Sequence, residues 1–484
     1  MKKSIILTVM LSISIIILIS CAPEEPGDTG EPPQAVTFTV NTVTNGRPIG
    51  GVNLTYEGIS IQTNSAGSLV LTFDPAEYTE GTLPETVTIT ASKKFFVTSS
   101  TTFTLSDYTE SSTLAEDIEI APRIFIPDMM GNLGVGRIVA IDDMSGTNRV
   151  DLSEIPGYID SIAENNEIEA KLGKLDAPTA INVDYDNGII YIFDVESSGN
   201  AAGPSNAAFL IRLTDFPTST SDTLAAADVK IFGPLYISFK SRAAAPSLTA
   251  IHQAVITGVD ELLTISGNTY SSVELHKLSG MSTGTITVTE AAADTANNLP
   301  TSLAPGLTVL PNGKLLLLHD SIGGANEEFL VLDNFADTDT SDFMTNSSPS
   351  PGDVDYFALA FRLLVDLDGR WLYTGDVYNS NWHQEGTEMD RIARFNLSST
   401  AANLDRTNYG SEGSGTAQFN EPVLLAVLPD NRLYIQDAAN SRLIRIDWTG
   451  SGTASGYSAY KPENNAGTAD IDESFGFEYF YNAC

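Results

Sequence analysis

The residues able to do chemistry are few and scattered. Four histidines occur, His252, His276, His319 and His383. The stretch Trp382-His383-Gln384-Glu385, followed by Glu388 and Asp390, is the densest set of metal-ligating types. It lies between strand-like runs and reads as an insertion. Gly280-Met281-Ser282-Thr283-Gly284 has the spacing of a nucleophile elbow, but that motif needs a strand-to-helix turn, and here it follows a strand inside a polar loop. Asp366-Leu367-Asp368-Gly369 has the start of a calcium loop without its remaining ligands. It aligns with Asp186-Asn187-Gly188, Asn312-Gly313 and Asp430-Asn431, which are hairpin turns. No catalytic residue, metal site or cofactor is therefore expected. The remaining reactive group is the thiol of Cys21, since Cys484 is the only other cysteine.

The elements around Cys21 explain its position. Lys2-Lys3 precede an apolar run from Ile5 to Ile19, and small residues lead to the cysteine, as in a secretory signal. Leu18-Ile19-Ser20-Cys21 resembles the lipobox of bacterial lipoproteins. The resemblance implies removal of residues 1–20 and acylation of the cysteine, palmitate being a typical chain. Ala22 rather than Asp follows the cysteine, so an outer-membrane or cell-surface location is expected over the inner membrane. Residues 21–34 are rich in Pro, Gly and Glu and read as an acidic tether. With 62 acidic residues against 25 basic and a net charge of −37, the chain repels phosphate backbones and anionic lipid. Nucleic-acid binding is excluded, and attachment to a membrane depends on the lipid at Cys21.

Beyond the tether the sequence is all-β. Residues 35–121 contain alternating runs at 36–40, 51–56, 68–73 and 86–90, broken at Asn45-Gly46, Arg47-Pro48 and Ala66-Gly67. The segment from Gly46 to Leu54, with Thr63-Asn64-Ser65-Ala66-Gly67, resembles carboxypeptidase-regulatory-like and bacterial Ig-like domains. Those imply a β-sandwich acting as a spacer or adhesion module.

Residues 122–484 carry a repeat. Its clearest copy runs from Phe419 through Val427, Leu433–Asp437 and Arg442–Asp447, and resembles an NHL repeat, the unit of a class of β-propellers. An apolar residue precedes a turn position by three in six copies. The turn positions are Asp128, Asp194, Ser266, Asp320, Asp376 and Asp437, at spacings of 66, 72, 54, 56 and 61. Six copies predict a six-bladed propeller whose faces are buried by radial stacking. The recurring aspartates, placed after each third strand, are expected to accept backbone N–H groups and so to be structural. The first copy has only the outer half of a blade, so Gly476–Tyr481 is expected to close the ring from the C-terminus.

A propeller's central channel is the expected place for chemistry. The predicted channel positions are Thr179 and Ala180, Gly306 and Leu307, and Val423 and Leu424, none of them acidic, Asn or His. Asn182 is the one polar candidate. Long polar insertions at 196–207, 280–300 and 335–356 are candidate recognition loops. The sequence thus favours a lipid-anchored module binding an unknown protein or glycan over an enzyme. The alternatives are a metal-dependent hydrolase or lyase of propeller fold, and an envelope-assembly scaffold.

Overall fold

A computed structural model describes residues 34–78, 81–108, 114–128, 136–158, 173–175, 178–195, 208–235, 250–268, 272–291, 306–320, 327–345, 360–376, 390–400, 404–437, 439–449 and 452–461. Cys21, most of the tether, the Trp382–Glu388 cluster, the 196–207 insertion and the proposed closing strand at 476–481 lie outside them. The described chain is all-β, with only single turns of 3-10 helix. None of its helices is long and apolar enough to cross a membrane.

Residues 34–120 build two four-stranded sheets. One pairs the strand Val36–Thr44 with Arg47–Pro48, Ser68–Phe73 and, in parallel, Ala115–Glu119. The other runs Ile59–Gln62, Asn53–Tyr56, Thr86–Ser92, Ser99–Thr104. Period-two alternation puts Val36, Phe38 and Val40 inside, where Phe38 meets Phe103 of the other sheet at a ring distance of 5.5 Å. The first hairpin turns at Asn45 (φ 49°) and Gly46 (φ 74°), as its Asn-Gly pair predicts.

Six antiparallel sheets follow in chain order. Sheet I consists of Ile124–Asp128, Arg137–Ile141 and Val150–Leu152. Sheets II to VI have four strands each, added in sequence order, with first strands Pro178–Asp184, Ala250–Gly258, Gly306–Val309, Ala360–Val365 and Pro422–Val427. Separate apolar cores fill the spaces between II and III, III and IV, IV and V, and V and VI. A further core joins sheets I and II to Leu428, Tyr434, Leu443 and Tyr460 of sheet VI. Packing therefore brings the sixth sheet back beside the first. Gly146 of sheet I lies so close to Tyr460 that a Cβ there would stand 2.5 Å from the ring.

Two of the expected insertions turn out to contain strands. Thr287–Glu290 is the fourth strand of sheet III, and Ser341–Thr345 the fourth of sheet IV. Every residue of Thr287–Glu290 is exposed, and Val288 is its one strongly apolar residue, so the sequence gives it little apolar contrast. The copy containing Asp128 shows three strands among the described residues, more than the half blade expected and one fewer than the other five sheets. Among the described residues nothing pairs with the second edge of Ile124–Asp128, although all five of its residues are buried.

The N-terminal unit does not stand apart from these sheets. Ile120 N donates to Val43 O, Val97 N to Ala121 O and Arg123 N to Phe95 O, so the connection is itself hydrogen-bonded. Phe95 packs edge-on against Phe125 and Phe96 against Tyr185, both at 5.5 Å. Phe95 and Phe96 are almost fully buried, each contributing about 2 kcal/mol. The half-exposed Arg47–Asp368 pair contributes at most about 1 kcal/mol. Apolar contact holds the two parts together, and the charges orient them.

Candidate functional site

The first strands of sheets II to VI adjoin one another in succession, each with one edge unpaired within its own sheet. Their inward backbone groups need partners. Three polar side chains supply them. Asn182 Nδ2, on sheet II, donates to Ala254 O of sheet III at 2.8 Å. Gln253 Oε1, on sheet III, accepts Leu307 N of sheet IV at 2.9 Å and Leu363 N of sheet V at 3.1 Å, while its Nε2 donates to Leu363 O at 2.6 Å. Arg362 Nη1, on sheet V, donates to Leu424 O of sheet VI at 3.3 Å. Each bond points onward in chain order, so the first strands are laced to one another by side chains.

Arg362 is placed by an irregular backbone. Its φ is 54°, where the pairing of its strand with Trp371–Asp376 shifts register. Burial pulls its guanidinium down to about 10, which leaves it cationic at neutral pH.

The predicted channel positions are corrected in part. Ala180, Leu307 and Leu424 belong to the cores between sheets. A Cβ at Gly306 would meet Leu363 at 3.0 Å, so this glycine serves close packing of sheets IV and V. Val423 is buried, and the side chain of Thr179 lies outside the described residues. Register shifts beside Ala180 and Leu424 re-aim the side chains of the first strands of sheets II and VI; sheet IV pairs without one, and Leu307 faces its core directly. Asn182 does reach inward, but as a donor to backbone.

The recurring turn positions end the second strand of sheets IV, V and VI and stand one residue before its end in sheet II, not after the third, because the segment after the repeat's proline is itself the first strand. Asp128 ends the first described strand of sheet I. Asp128 accepts Arg137 Nε at 2.7 Å, and Arg137 also pairs with Asp151. Asp194, fully buried, accepts the Tyr158 hydroxyl at 2.8 Å. Asp437, also fully buried, accepts Asn420 N and Arg442 Nε, each at 2.6 Å, and the Asn440 amide. Burial raises its pKa against the pull of those donors. Asp320 and Asp376 stand opposite Glu327 and Arg391 in register, and their side chains lie outside the described residues. Sequence reasoning missed the arginines. Arg137, Arg391 and Arg442 each begin the next strand directly across from an Asp, a pairing visible only once register is known.

These aspartates mark one end of the six-sheet unit, here called the loop end. The opposite, turn end carries the hairpins between first and second strands. There Asp430 accepts the Tyr434 hydroxyl at 2.9 Å, and Asp366 accepts the Arg370 and Trp371 amides. Both carboxyls are raised by burial.

The other sequence candidates are dispersed. His276 is buried, opposite Glu290, and burial lowers its pKa. His252 and His319 lie on strands with side chains outside the described residues. Asp390 is buried and accepts Glu421 N at 3.1 Å. Met281–Thr283 forms one 3-10 turn between two left-handed glycines, with no helix behind it. No group of three or more His, Cys, Asp or Glu suited to a metal occurs among the described residues. A cavity of about 860 Å³ opens at the rim between sheet I and the 217–224 segment, lined by Arg149, Asp151, Glu154, Tyr158 and Asp222.

No protein-family model matches the chain, and no curated protein matches it. Among solved structures it is similar to a periplasmic gluconolactonase of Pseudomonas aeruginosa, at 12% identity and a TM-score of 0.38, covering 84% of this chain and 97% of that one. It is also similar to a protein of unknown function from Dyadobacter fermentans, at 10% identity and 0.38, covering 77% and 90%. A glycosyl hydrolase of Bacteroides ovatus is similar at 10% identity and 0.32, covering 64% and 94%. Scores this low assign no activity to the chain.

Proposed function

We propose that the chain is a lipid-anchored envelope or surface module, in which a six-bladed β-propeller carried on a β-sandwich binds a protein or glycan. Acyl chains on Cys21 supply the attachment. Residues 476–481 complete the first blade beside Ile124–Asp128. Two observations support the propeller: six successive sheets with a core between each neighbouring pair, and the return of sheet VI to sheet I.

The observation that carries the binding reading is the laced interior. Asn182, Gln253 and Arg362 are engaged with backbone groups of neighbouring strands, so the middle of the ring acts as a scaffold and recognition belongs to its surface and connections. The alternative is a propeller hydrolase, the activity class named for the gluconolactonase and the glycosyl hydrolase above. Two assays on purified protein separate the readings. Binding to a glycan array or to isolated envelope fractions, lost when residues 292–300 and 346–359 are replaced by short Gly-Ser linkers, supports the module. Stoichiometric, tightly held metal together with lactone hydrolysis supports the hydrolase.

A further inference from the structure

The unit at residues 35–121 contains three basic residues, Arg47, Lys93 and Lys94, and all three are directed at the six-sheet unit. Arg47 pairs with Asp368 at 2.6 Å, in the turn between the first two strands of sheet V. Lys93 pairs with Asp186 at 3.3 Å, in the equivalent turn of sheet II, and Lys94 donates to Thr214 O. Asn45 adds a third turn: its Nδ2 donates to Asp430 O at 2.8 Å, and its Oδ1 accepts Arg432 of sheet VI at 2.9 Å. Sheets II and V are three places apart in a series of six, so these contacts reach opposite sides of the ring at its turn end.

The docking is end-on. The strands Val36–Thr44, Thr86–Ser92 and Ala115–Glu119 all finish at the contact, in the 45–47 turn, the 93–96 segment and the connection at 120–123. The start of Val36–Thr44, where the tether joins, is therefore at the far pole, about 30 Å away for a strand of nine residues.

We propose that residues 35–121 are a fixed cap over the turn end of the ring, which holds the loop end facing away from the tether. This makes the N-terminal unit an orienting element where the sequence suggested a spacer. It rests on the proposed display function only for the tether's role. The hydrogen-bonded connection at 120–123, the buried Phe95 and Phe96 and the charge pairing each oppose a hinge at this junction.

The test is a spin-label distance measurement on the full chain carrying Cys21→Ser and Cys484→Ser. Labels are placed at Ala35→Cys and Ala439→Cys, two exposed positions at the far pole and at the loop end. The expected result is one narrow separation on the order of 45 Å, the length of Val36–Thr44 plus that of Leu433–Asp437, unchanged between low and high salt. A broad or bimodal distribution overturns the fixed cap. A narrow separation below about 30 Å, shorter than the first strand alone, overturns its direction. The measurement uses neither lipid nor ligand, so its failure would leave the binding function standing, and loss of binding would leave the cap standing.

Discussion

Gln253 occupies a position that no motif marks, yet it joins three sheets through three hydrogen bonds made by one buried amide. Replacing it with Leu keeps the volume and strands two backbone N–H groups, each costing about 1–3 kcal/mol. We expect Gln253→Leu to lose roughly 3 kcal/mol in urea unfolding. A loss within about 0.5 kcal/mol, as at an ordinary surface site, would contradict the lacing. Asp437→Ala removes one member of a buried pair with Arg442 and leaves Asn420 N without its acceptor. The expected cost is about 3–5 kcal/mol, with a smaller cost for Asp437→Asn. The recurrence of Asp437 was legible in the sequence because it repeats with its apolar neighbour. Gln253 was not, because its meaning depends on which strands surround it.

At the scale of elements, the sequence signals succeeded where burial is one-sided or a turn is strict. The Asn45-Gly46 hairpin and the second strands of sheets II and VI follow directly from their residues. Ser99–Thr104 and Thr287–Glu290 escaped because Ser- and Thr-rich edge strands carry little apolar contrast. The junction of the two parts escaped for another reason. Lys93-Lys94-Phe95-Phe96 reads as an ordinary loop, and only the fold brings Phe125 and Tyr185 against it. Because one apolar core runs across that junction, calorimetry should show residues 35–121 melting together with sheets I and II. Phe96→Ala should lower stability by about 3–5 kcal/mol, and a separate early transition in the parent protein would contradict a shared core.

For the molecule as a whole, charge sets the response to pH. Burial holds the carboxyls of Asp366, Asp430 and Asp437 above their ordinary values. The stability tied to their neutral forms is complete below the unfolded value near pH 3.9 and is lost as pH rises through their raised folded values. Self-repulsion from a net charge of −37 grows in the same direction. Glu261, held low by Lys277, and Asp143, held low by Ser145, act oppositely: their stabilisation is present above the unfolded value and is lost as pH falls through their lowered folded values. The melting temperature should therefore rise as pH falls through the raised folded values of these carboxyls toward the unfolded value of about 3.9, and decline below it as Glu261 and Asp143 protonate. A monotonic fall from neutral pH would contradict this balance.

The same acidity repels anionic lipid, so in the proposed display function membrane attachment depends on acylation of Cys21. Fractionation of bacterial cells producing the parent and the Cys21→Ser chain, each labelled with a fatty-acid probe, tests that most directly. The parent should carry the label and sediment with membranes. Cys21→Ser should be unlabelled, and its folded form should appear in the soluble fraction. If the Cys21→Ser chain stayed with membranes, or the parent took up no label, the anchored-display account would be wrong.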